Sequence, residues 1–90
     1  MVHNAINESI KVYAVYNNRR TPFPHERLQP VVFIWRNHRY RIKDITYVWR
    51  EKQGDSELYH YAVSDGANVY ELSYENKTFN WTLTSISCEA

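Results

Sequence analysis

The segment Pro30–Arg50 has the sequence PVVFIWRNHRYRIKDITYVWR, in which aromatic and aliphatic residues alternate with arginine and lysine. Such alternation is typical of a β-strand with one buried and one solvent-exposed face. The dipeptide Asn37-His38 divides the segment, because asparagine tolerates the positive φ of a two-residue hairpin turn. The segment therefore predicts two antiparallel strands, Val31–Arg36 and Arg39–Arg50.

The alternation of side chains along the two strands of this hairpin separates an apolar face from a basic face. With a turn at Asn37-His38, we expect Trp35 opposite Tyr40 and Phe33 opposite Ile42 on one side. The other side then carries Val32, Ile34, Arg36, Arg39, Arg41 and Lys43.

The apolar alternation slips between Ile42 and Ile45, after which Ile45, Tyr47 and Trp49 resume it. One extra residue near Lys43-Asp44 would restore the apolar face, so the slip predicts a β-bulge and a bend there. A long strand that bends in this way suits a small closing barrel.

Two later turns place further aromatic residues on the same face. Asp65-Gly66 is the strongest hairpin turn in the chain, and Asn76-Lys77 is a second. Two-residue turns at these points predict the pairs Tyr61–Tyr70, Tyr59–Leu72, His60–Glu71, Tyr74–Phe79, Leu72–Trp81 and Tyr70–Leu83. The expected inner face is Phe33, Trp35, Tyr40, Ile42, Tyr59, Tyr61, Val63, Tyr70, Leu72, Trp81 and Leu83.

The first part of the chain predicts one more strand and a long loop. Ile10–Tyr16 alternates, with Ile10, Val12, Ala14 and Tyr16 on one side. The following residues, 17–29, are rich in proline and arginine, and we expect a loop with a short helical turn at His25–Leu28. The fold class is therefore all-β, a six-stranded antiparallel meander that curls into a small SH3-like barrel. Pairing with a second copy is the alternative way to cover the apolar face.

Composition is consistent with one small domain spanning residues 1–90. The single cysteine, Cys88, cannot form an internal disulfide, and no stretch has the roughly 18 consecutive apolar residues of a membrane span. No apolar signal region follows Met1. We therefore expect a cytoplasmic protein that has no membrane partner.

Charge is distributed unevenly, although the formal net charge is only +1. Residues 1–52 contain all the arginines and lysines except Lys77, whereas every other charged residue of 53–90 is acidic. Such asymmetry is a hint of an anionic partner or of head-to-tail self-association, although a solvated surface with internally paired charges is the simpler interpretation and ranks slightly ahead of these.

Several core and turn positions support a family resemblance. They are Pro30-x-x-Phe33-x-Trp35-Arg36, Tyr40-x-Ile42, Trp49, Asp65-Gly66, Tyr70-Glu71-Leu72 and Trp81-x-Leu83. Through them the chain resembles, from about residue 10 to residue 86, a small bacterial domain family of unknown function. It departs from that family in having Asn37 where glycine is expected, and in its Pro-rich loop. Members of the family resemble products encoded beside translesion, Y-family-polymerase-like genes, so the resemblance implies a link to DNA repair.

No motif with a specific chemistry is present. The histidines and Cys88 are scattered without metal-ligand spacing, and the two glycines, Gly54 and Gly66, form no phosphate-binding loop. Asp65 is explained by its turn and Glu71 by cross-strand pairing. We therefore expect no enzymatic activity, no metal and no cofactor.

Nucleic-acid binding is the favoured function, because a row of cations on one sheet face gains affinity for phosphates through counterion release. The candidate binding residues are Arg19, Arg20, Arg36, Arg39, Arg41 and Lys43. Aromatic residues that could stack on bases are fewer than the candidate cations; they are Phe23, Tyr47 and Trp49. The partner would be single- or double-stranded DNA. Two alternatives stay open: the arginines only prevent edge-to-edge aggregation, or the domain binds a protein partner or a second copy of itself.

Overall fold

The computed structural model describes residues 2–17 and 20–88, and this part of the chain is built almost entirely from β-strands. The strands are β1 (Val2–Tyr16), β2 (Leu28–Trp35), β3 (His38–Arg41), β4 (Asp44–Gln53), β5 (Ser56–Ser64), β6 (Asn68–Glu75) and β7 (Asn80–Cys88). A short 3₁₀ turn, Pro24–Glu26, lies within the loop where a helical turn was expected. The all-β prediction is confirmed. The described residues contain no helix with the length and apolarity needed to cross a membrane.

The strands form one antiparallel sheet in the order β3-β2-β1-β7-β6-β5-β4. The prediction of six strands is wrong, because the expected long strand Arg39–Arg50 is divided into β3 and β4. The meander contains only β4 to β7, and β1 lies inside the sheet instead of preceding a five-strand meander. The sheet is not closed into a barrel, since β3 and β4 are its two edges.

β1 joins the two halves of the sheet. It extends much further than the predicted Ile10–Tyr16, and its first part pairs with β7 up to the pair Ile10–Trp81. From Lys11, which pairs with Ile34, the strand pairs with β2 instead. Asn7 has a φ of 55° at the bulge in the β1–β7 ladder, a conformation that asparagine tolerates better than most residues. Because β1 changes partner along its length, one strand holds the β2–β3 hairpin against the β4–β7 meander.

The two edges of the sheet are consecutive in the chain and are joined by Ile42 and Lys43. The Ile42 N–H donates to the Val31 carbonyl at 2.9 Å, and the Lys43 N–H donates to the Ser64 carbonyl at 2.8 Å. The chain thus crosses directly from β2 to β5, which requires the sheet to curl. The predicted bulge near Lys43-Asp44 is a break between strands.

The bulge of this region lies at Thr46, between the pairs Ile45–Val63 and Tyr47–Ala62. Because the extra residue comes after Ile45, the strand's next inward residue is Val48, and Ile45 and Val48 both pack against the core. The expectation that Tyr47 and Trp49 share the face of Ile45 is wrong, and the Tyr47 side chain is 66% exposed.

The observed registers of all three hairpins differ from the predicted registers by two residues. The first turn is Arg36-Asn37, with φ values of 51° and 65°, so Phe33 pairs with Tyr40 and Trp35 with His38. A two-residue hairpin turn with both central residues at positive φ matches the twist of its strands.

The other two hairpins differ from the prediction in the same way. β5 and β6 pair Tyr61 with Leu72, and β6 and β7 pair Leu72 with Leu83. His60 lies opposite Ser73, so its predicted pairing with Glu71 is wrong. A displacement of two residues keeps every side chain on its predicted face, because side chains alternate with a period of two.

The predicted inner face is confirmed for this reason. Its buried members are Phe33, Tyr59, Tyr61, Val63, Tyr70, Leu72 and Leu83, and its half-buried members, packed against them, are Trp35, Tyr40, Ile42 and Trp81. β1 adds Ile10 and Val12 to the core, whereas Ala14 and Tyr16, expected on that side, are exposed. The β1–β2 ladder shifts register between Tyr13 and Ala14, which ends the predicted alternation.

Candidate functional site

Two rows of side chains cross the outer surface of β1, β2 and β3. Lys11 pairs with Ile34, which pairs with Arg39; Tyr13 pairs with Val32, which pairs with Arg41. Residues that are directly opposite in neighbouring strands share a face of the sheet. We call this surface the basic face and define it as Lys11, Tyr13, Val32, Ile34, Arg39 and Arg41.

The basic face combines exposed cations with an exposed ring. Lys11, Arg39 and Arg41 are exposed, and the Tyr13 side chain is 55% exposed. The Arg39 guanidinium lies 5.5 Å from the centre of the Tyr13 ring, within the range of a cation–π contact. The ring therefore both supports a cation and leaves apolar surface open to solvent.

The cations of the basic face have no carboxylate partner within residues 2–17 and 20–88. The ion pairs there are Arg36–Glu8, Arg50–Glu57, His60–Glu51 and Lys77–Asp55. Two acidic residues of the second half are also engaged elsewhere: Glu71 accepts a hydrogen bond from Thr84, and Glu75 accepts one from Thr78. The positive charge of Lys11, Arg39 and Arg41 is thus uncompensated.

Arg36 is in a different situation, although the sequence groups it with Arg39 and Arg41. It lies in the β2–β3 turn, where its Nη2 donates to Glu8 Oε2 at 2.7 Å and its guanidinium lies 4.6 Å from the centre of the Trp35 ring. Trp35 Nε1 donates to the same carboxylate at 2.9 Å. Hydrogen bonds from Arg36 and then Trp35 lower the pKa of Glu8, and the hydrogen bond to Glu8 raises the pKa of Arg36. The charge of Arg36 is already neutralised locally.

The structure separates the remaining candidate residues. Lys43 lies between the two edge strands, and its Nζ is 3.1 Å from the position that a Cβ on Gly66 would take. Arg20 is exposed in the loop, and Arg19 lies outside the described residues. Of the five candidates that lie within the described residues, only Arg39 and Arg41 come together on the basic face.

Sequence reasoning missed two members of this face, Lys11 and Tyr13. The signal was present, since both have the opposite parity to Ile10 and Val12, which the sequence placed on the apolar side. What the sequence could not show is that β1 lies beside β2, so that its outward residues continue the rows of Arg39 and Arg41.

A second feature is a pocket of about 490 Å³ beneath the 3₁₀ turn. It is lined by Phe23, His25, Glu26, Leu28, Gln29, Ile45, Val48, Arg50 and Tyr61. The Tyr61 hydroxyl donates to the His25 carbonyl at 3.1 Å, and burial raises the pKa of Tyr61, so this hydroxyl stays protonated. His25 Nδ1 is buried without a hydrogen-bond partner, which is uncommon for a polar atom in a folded protein. We call this feature the seam pocket, because it lies between β2 and β4.

Asp65 has a structural role in the β5–β6 turn. Its Oδ1 accepts from the Ala67 and Asn68 N–H groups at 2.9 Å each, and the Tyr70 hydroxyl donates to Oδ2 at 2.8 Å. Burial raises the pKa of Asp65, but these hydrogen bonds outweigh burial and hold it below its usual value. Within the described part of the chain, no three histidine, cysteine or acidic side chains are grouped as metal ligands would be.

No protein-family model, curated protein or solved structure matches this chain. Inference about function therefore depends on the chemistry of the basic face and the seam pocket. The basic face is defined by uncompensated charge, whereas the seam pocket is defined by shape and by one unsatisfied polar atom.

Proposed function

We propose that this protein is a non-enzymatic nucleic-acid-binding module that contacts DNA through the basic face. The observation that carries the proposal is that Lys11, Arg39 and Arg41 lie on one surface without any carboxylate partner among the described residues. Such a surface attracts phosphates and releases their counterions on binding. Tyr13 adds an aromatic ring, which single strands use as a stacking platform.

Protection of a sheet edge is the simpler explanation of these arginines, and it accounts for only part of the basic face. Arg39 and Arg41 lie on β3, a short edge strand on which charged residues discourage pairing with other chains. Lys11 and Tyr13 lie on the part of β1 that pairs with β2 only, because the β1–β7 ladder ends at the pair Ile10–Trp81, so Lys11 can protect a free edge in the same way. Edge protection by charged residues gives no reason for the exposed ring of Tyr13 beside these cations, so the complete set favours binding.

The wider biological setting is also part of the proposal. The family resemblance in the sequence implies a role in bacterial DNA repair, and the cytoplasm is the compartment in which such a protein would meet DNA. We regard the curled sheet as an open variant of the small SH3-like barrel, in which the residues Ile42 and Lys43 connect the two edges in place of a continuous ladder. Small β-domains of that kind bind ligands on their outer surfaces and loops.

The test is a charge reversal on the basic face with a matched control. Arg39→Glu/Arg41→Glu removes two uncompensated cations, whereas Lys52→Glu/Lys77→Glu makes the same change in net charge at exposed sites on other hairpins. We expect wild type and the control to bind a fluorescein-labelled 12-nucleotide oligo(dT) at low salt, and the first variant to bind at least about tenfold more weakly. Its slope of log affinity against log salt should fall by about 0.7 for each single-strand phosphate that the variant no longer neutralises.

All four positions are exposed, so we expect both double variants to keep the wild-type fold, and circular dichroism checks this expectation. Equal weakening in the two double variants would show that net charge alone matters and would contradict a defined binding surface. Absence of wild-type binding at low salt, where electrostatic attraction is strongest, would reject nucleic-acid binding altogether.

A second candidate function, binding of an extended peptide, is favoured by the seam pocket. β4 pairs with β5 on one side only, and the first residues of β2, Leu28–Pro30, pair with β1 on one side only. Strands with a free edge can accept an added strand from a peptide. Gln29→Lys would place a charge in this pocket at a residue outside the core cluster, so peptides selected from a random library on wild type should lose affinity for this variant and keep it for Arg39→Glu/Arg41→Glu.

A further inference from the structure

Phe79 is exposed in a backbone conformation that aromatic residues rarely adopt. It ends the β6–β7 turn with a φ of 60°, and its side chain is 72% exposed. Its ring lies at a centroid distance of 6.4 Å from that of Tyr74. Positive φ is unfavourable for a residue with a bulky side chain, and strained residues of this kind concentrate at functional sites. Neither burial nor turn chemistry explains a phenylalanine here.

A groove of about 360 Å³ lies beside Phe79. β1 pairs with β7 as far as the pair Ile10–Trp81 and then pairs with β2, so the two strands separate at this point. The groove is lined by residues 9–13 of β1 and residues 79–81 of the turn and β7. Phe79 and Tyr13 are its exposed rings, Lys11 is its cation, and none of its lining residues is acidic.

The groove is continuous with the basic face through Tyr13 and Lys11, which belong to both. The Arg39 guanidinium, 5.5 Å from the centre of the Tyr13 ring, brings a second cation to its margin. The surface thus presents a row of cations that leads to two exposed rings. This arrangement is complementary to a chain that alternates anionic groups with flat apolar rings, which is the chemistry of an unpaired nucleic-acid strand.

We propose that the groove holds an unpaired nucleobase of a single strand, stacked on Phe79 or Tyr13, while Lys11 and Arg39 contact the adjacent phosphates. This inference rests on the proposed function and adds to it a preference for single strands. In a duplex the bases already stack on one another, so they are not available to side-chain rings unless the duplex opens. Each base–aromatic stack contributes about 1–3 kcal/mol, which corresponds to roughly a five- to 150-fold change in affinity.

Phe79→Asn is the variant that separates binding from folding. Asparagine tolerates positive φ far better than phenylalanine, so the turn should keep its conformation and the midpoint of thermal unfolding should not fall. Tyr47→Ala is the matched control: the sequence made Tyr47 a stacking candidate, but the structure places it on β4 as a similarly exposed ring that belongs neither to the groove nor to the basic face. The binding partners are a 12-nucleotide oligo(dT), an abasic 12-mer of equal charge and a 12-base-pair duplex.

We expect wild type to bind oligo(dT) more tightly than the abasic strand, and Phe79→Asn to weaken oligo(dT) binding by about fivefold or more with unchanged affinity for the abasic strand. Tyr47→Ala should bind all three partners as wild type does. Equal wild-type affinity for oligo(dT) and the abasic strand, or unchanged oligo(dT) binding by Phe79→Asn, would overturn the base-stacking inference and leave phosphate binding standing. Loss of all wild-type binding at low salt would instead reject the proposed function itself.

Discussion

The basic face and the outer surface of β4 and β5 are two regions of one sheet. Both carry aromatic rings and charged side chains, but they differ in whether those charges have partners. The second surface, which we call the paired face, consists of Tyr47, Trp49, Glu51 and His60. Its Trp49 ring stacks on His60 at 5.0 Å with an interplanar angle of 11°, and His60 Nε2 lies 3.1 Å from Glu51 Oε1. The basic face has rings and charges too, but none of its cations has a carboxylate partner among the described residues.

The comparison shows that composition alone does not distinguish a binding surface from a solvated one. Each face exposes a tyrosine, Tyr13 on the basic face and Tyr47 on the paired face. On the paired face, His60 lies between an indole and a carboxylate, so a ligand that reached this ring face or Nε2 would have to displace one of these two contacts. On the basic face, a ligand with phosphates gains contacts without displacing any ion pair.

The largest expected effect is the loss of stability when a tryptophan of the core is truncated, compared with truncation of the tryptophan on the paired face. Trp81 packs against Tyr61 and Tyr74 at centroid distances of 5.5 and 4.8 Å, so Trp81→Ala should lower the free energy of unfolding by about 3–5 kcal/mol. Trp49→Ala removes a surface stack and should cost about 0.5–1.5 kcal/mol. Urea unfolding measures both values. If Trp49→Ala cost as much as Trp81→Ala, the paired face would be part of the core and the comparison would fail.

Ionisation of the buried tyrosines sets the upper limit of the pH range in which the protein is folded and the two faces can be compared. Burial raises the pKa of Tyr70 to about 12 and also raises that of Tyr61. Because these folded-state values exceed the value of about 10 for an unfolded tyrosine, the stability they confer is complete below pH 10 and is lost as the pH rises toward 12. Unfolding monitored by tyrosinate absorbance should therefore be cooperative in this range. Independent titration of these tyrosines in a folded protein would contradict their burial.

The sequence predicted the faces of the strands well and their pairing poorly, for one physical reason. The face to which a side chain points depends on whether its position along the strand is odd or even. A shift of the strand pairing by two residues does not change this, so the predicted inner face from Phe33 to Leu83 was correct. Register depends on the turn, and two turns contain a residue that is rarely found at positive φ, Arg36 and Phe79. Arg36 is held there by Glu8, which is 28 residues away in sequence, and no local pattern reveals that contact.

The candidate site was predicted only in part for a similar reason. Alternation indicated that Arg39 and Arg41 point outward together, and they do. The position of β1 between β2 and β7 is a long-range property, and it determines that Lys11 and Tyr13 complete the surface. Arg36 has the same residue type and the same predicted face, yet its charge is paired with Glu8. Residue type and alternation along the strand therefore identify candidate binding residues. The order of the strands and the ion pairs then determine which of these residues form the surface.

A smaller effect is expected at the turn that connects β5, which carries His60 of the paired face, to β6. Asp65→Ala removes the acceptor of two backbone N–H groups and of the Tyr70 hydroxyl, and should lower the free energy of unfolding by about 1–3 kcal/mol. The folded-state pKa of Asp65 lies below its usual value, so its contribution is present above about pH 4 and lost as the pH falls through the folded value. Wild type and variant should therefore converge in stability in acid. Binding by the basic face at neutral pH should be unchanged in Asp65→Ala.

The smallest expected effect tests the comparison most directly, because it changes pairing without changing any cation. Glu8→Gln removes the carboxylate that neutralises Arg36 and leaves the arginine in place at the end of the β2–β3 hairpin. The pair is exposed, and exposed ion pairs contribute little to stability, so the variant should fold normally. If unpaired charge is what makes the basic face a binding surface, the freed Arg36 should add one phosphate contact, strengthen oligo(dT) binding at low salt and steepen the salt slope by about 0.7. Glu51→Gln, the equivalent change on the paired face, should leave binding unaltered, and a matching gain there would show that only net charge distinguishes the two surfaces.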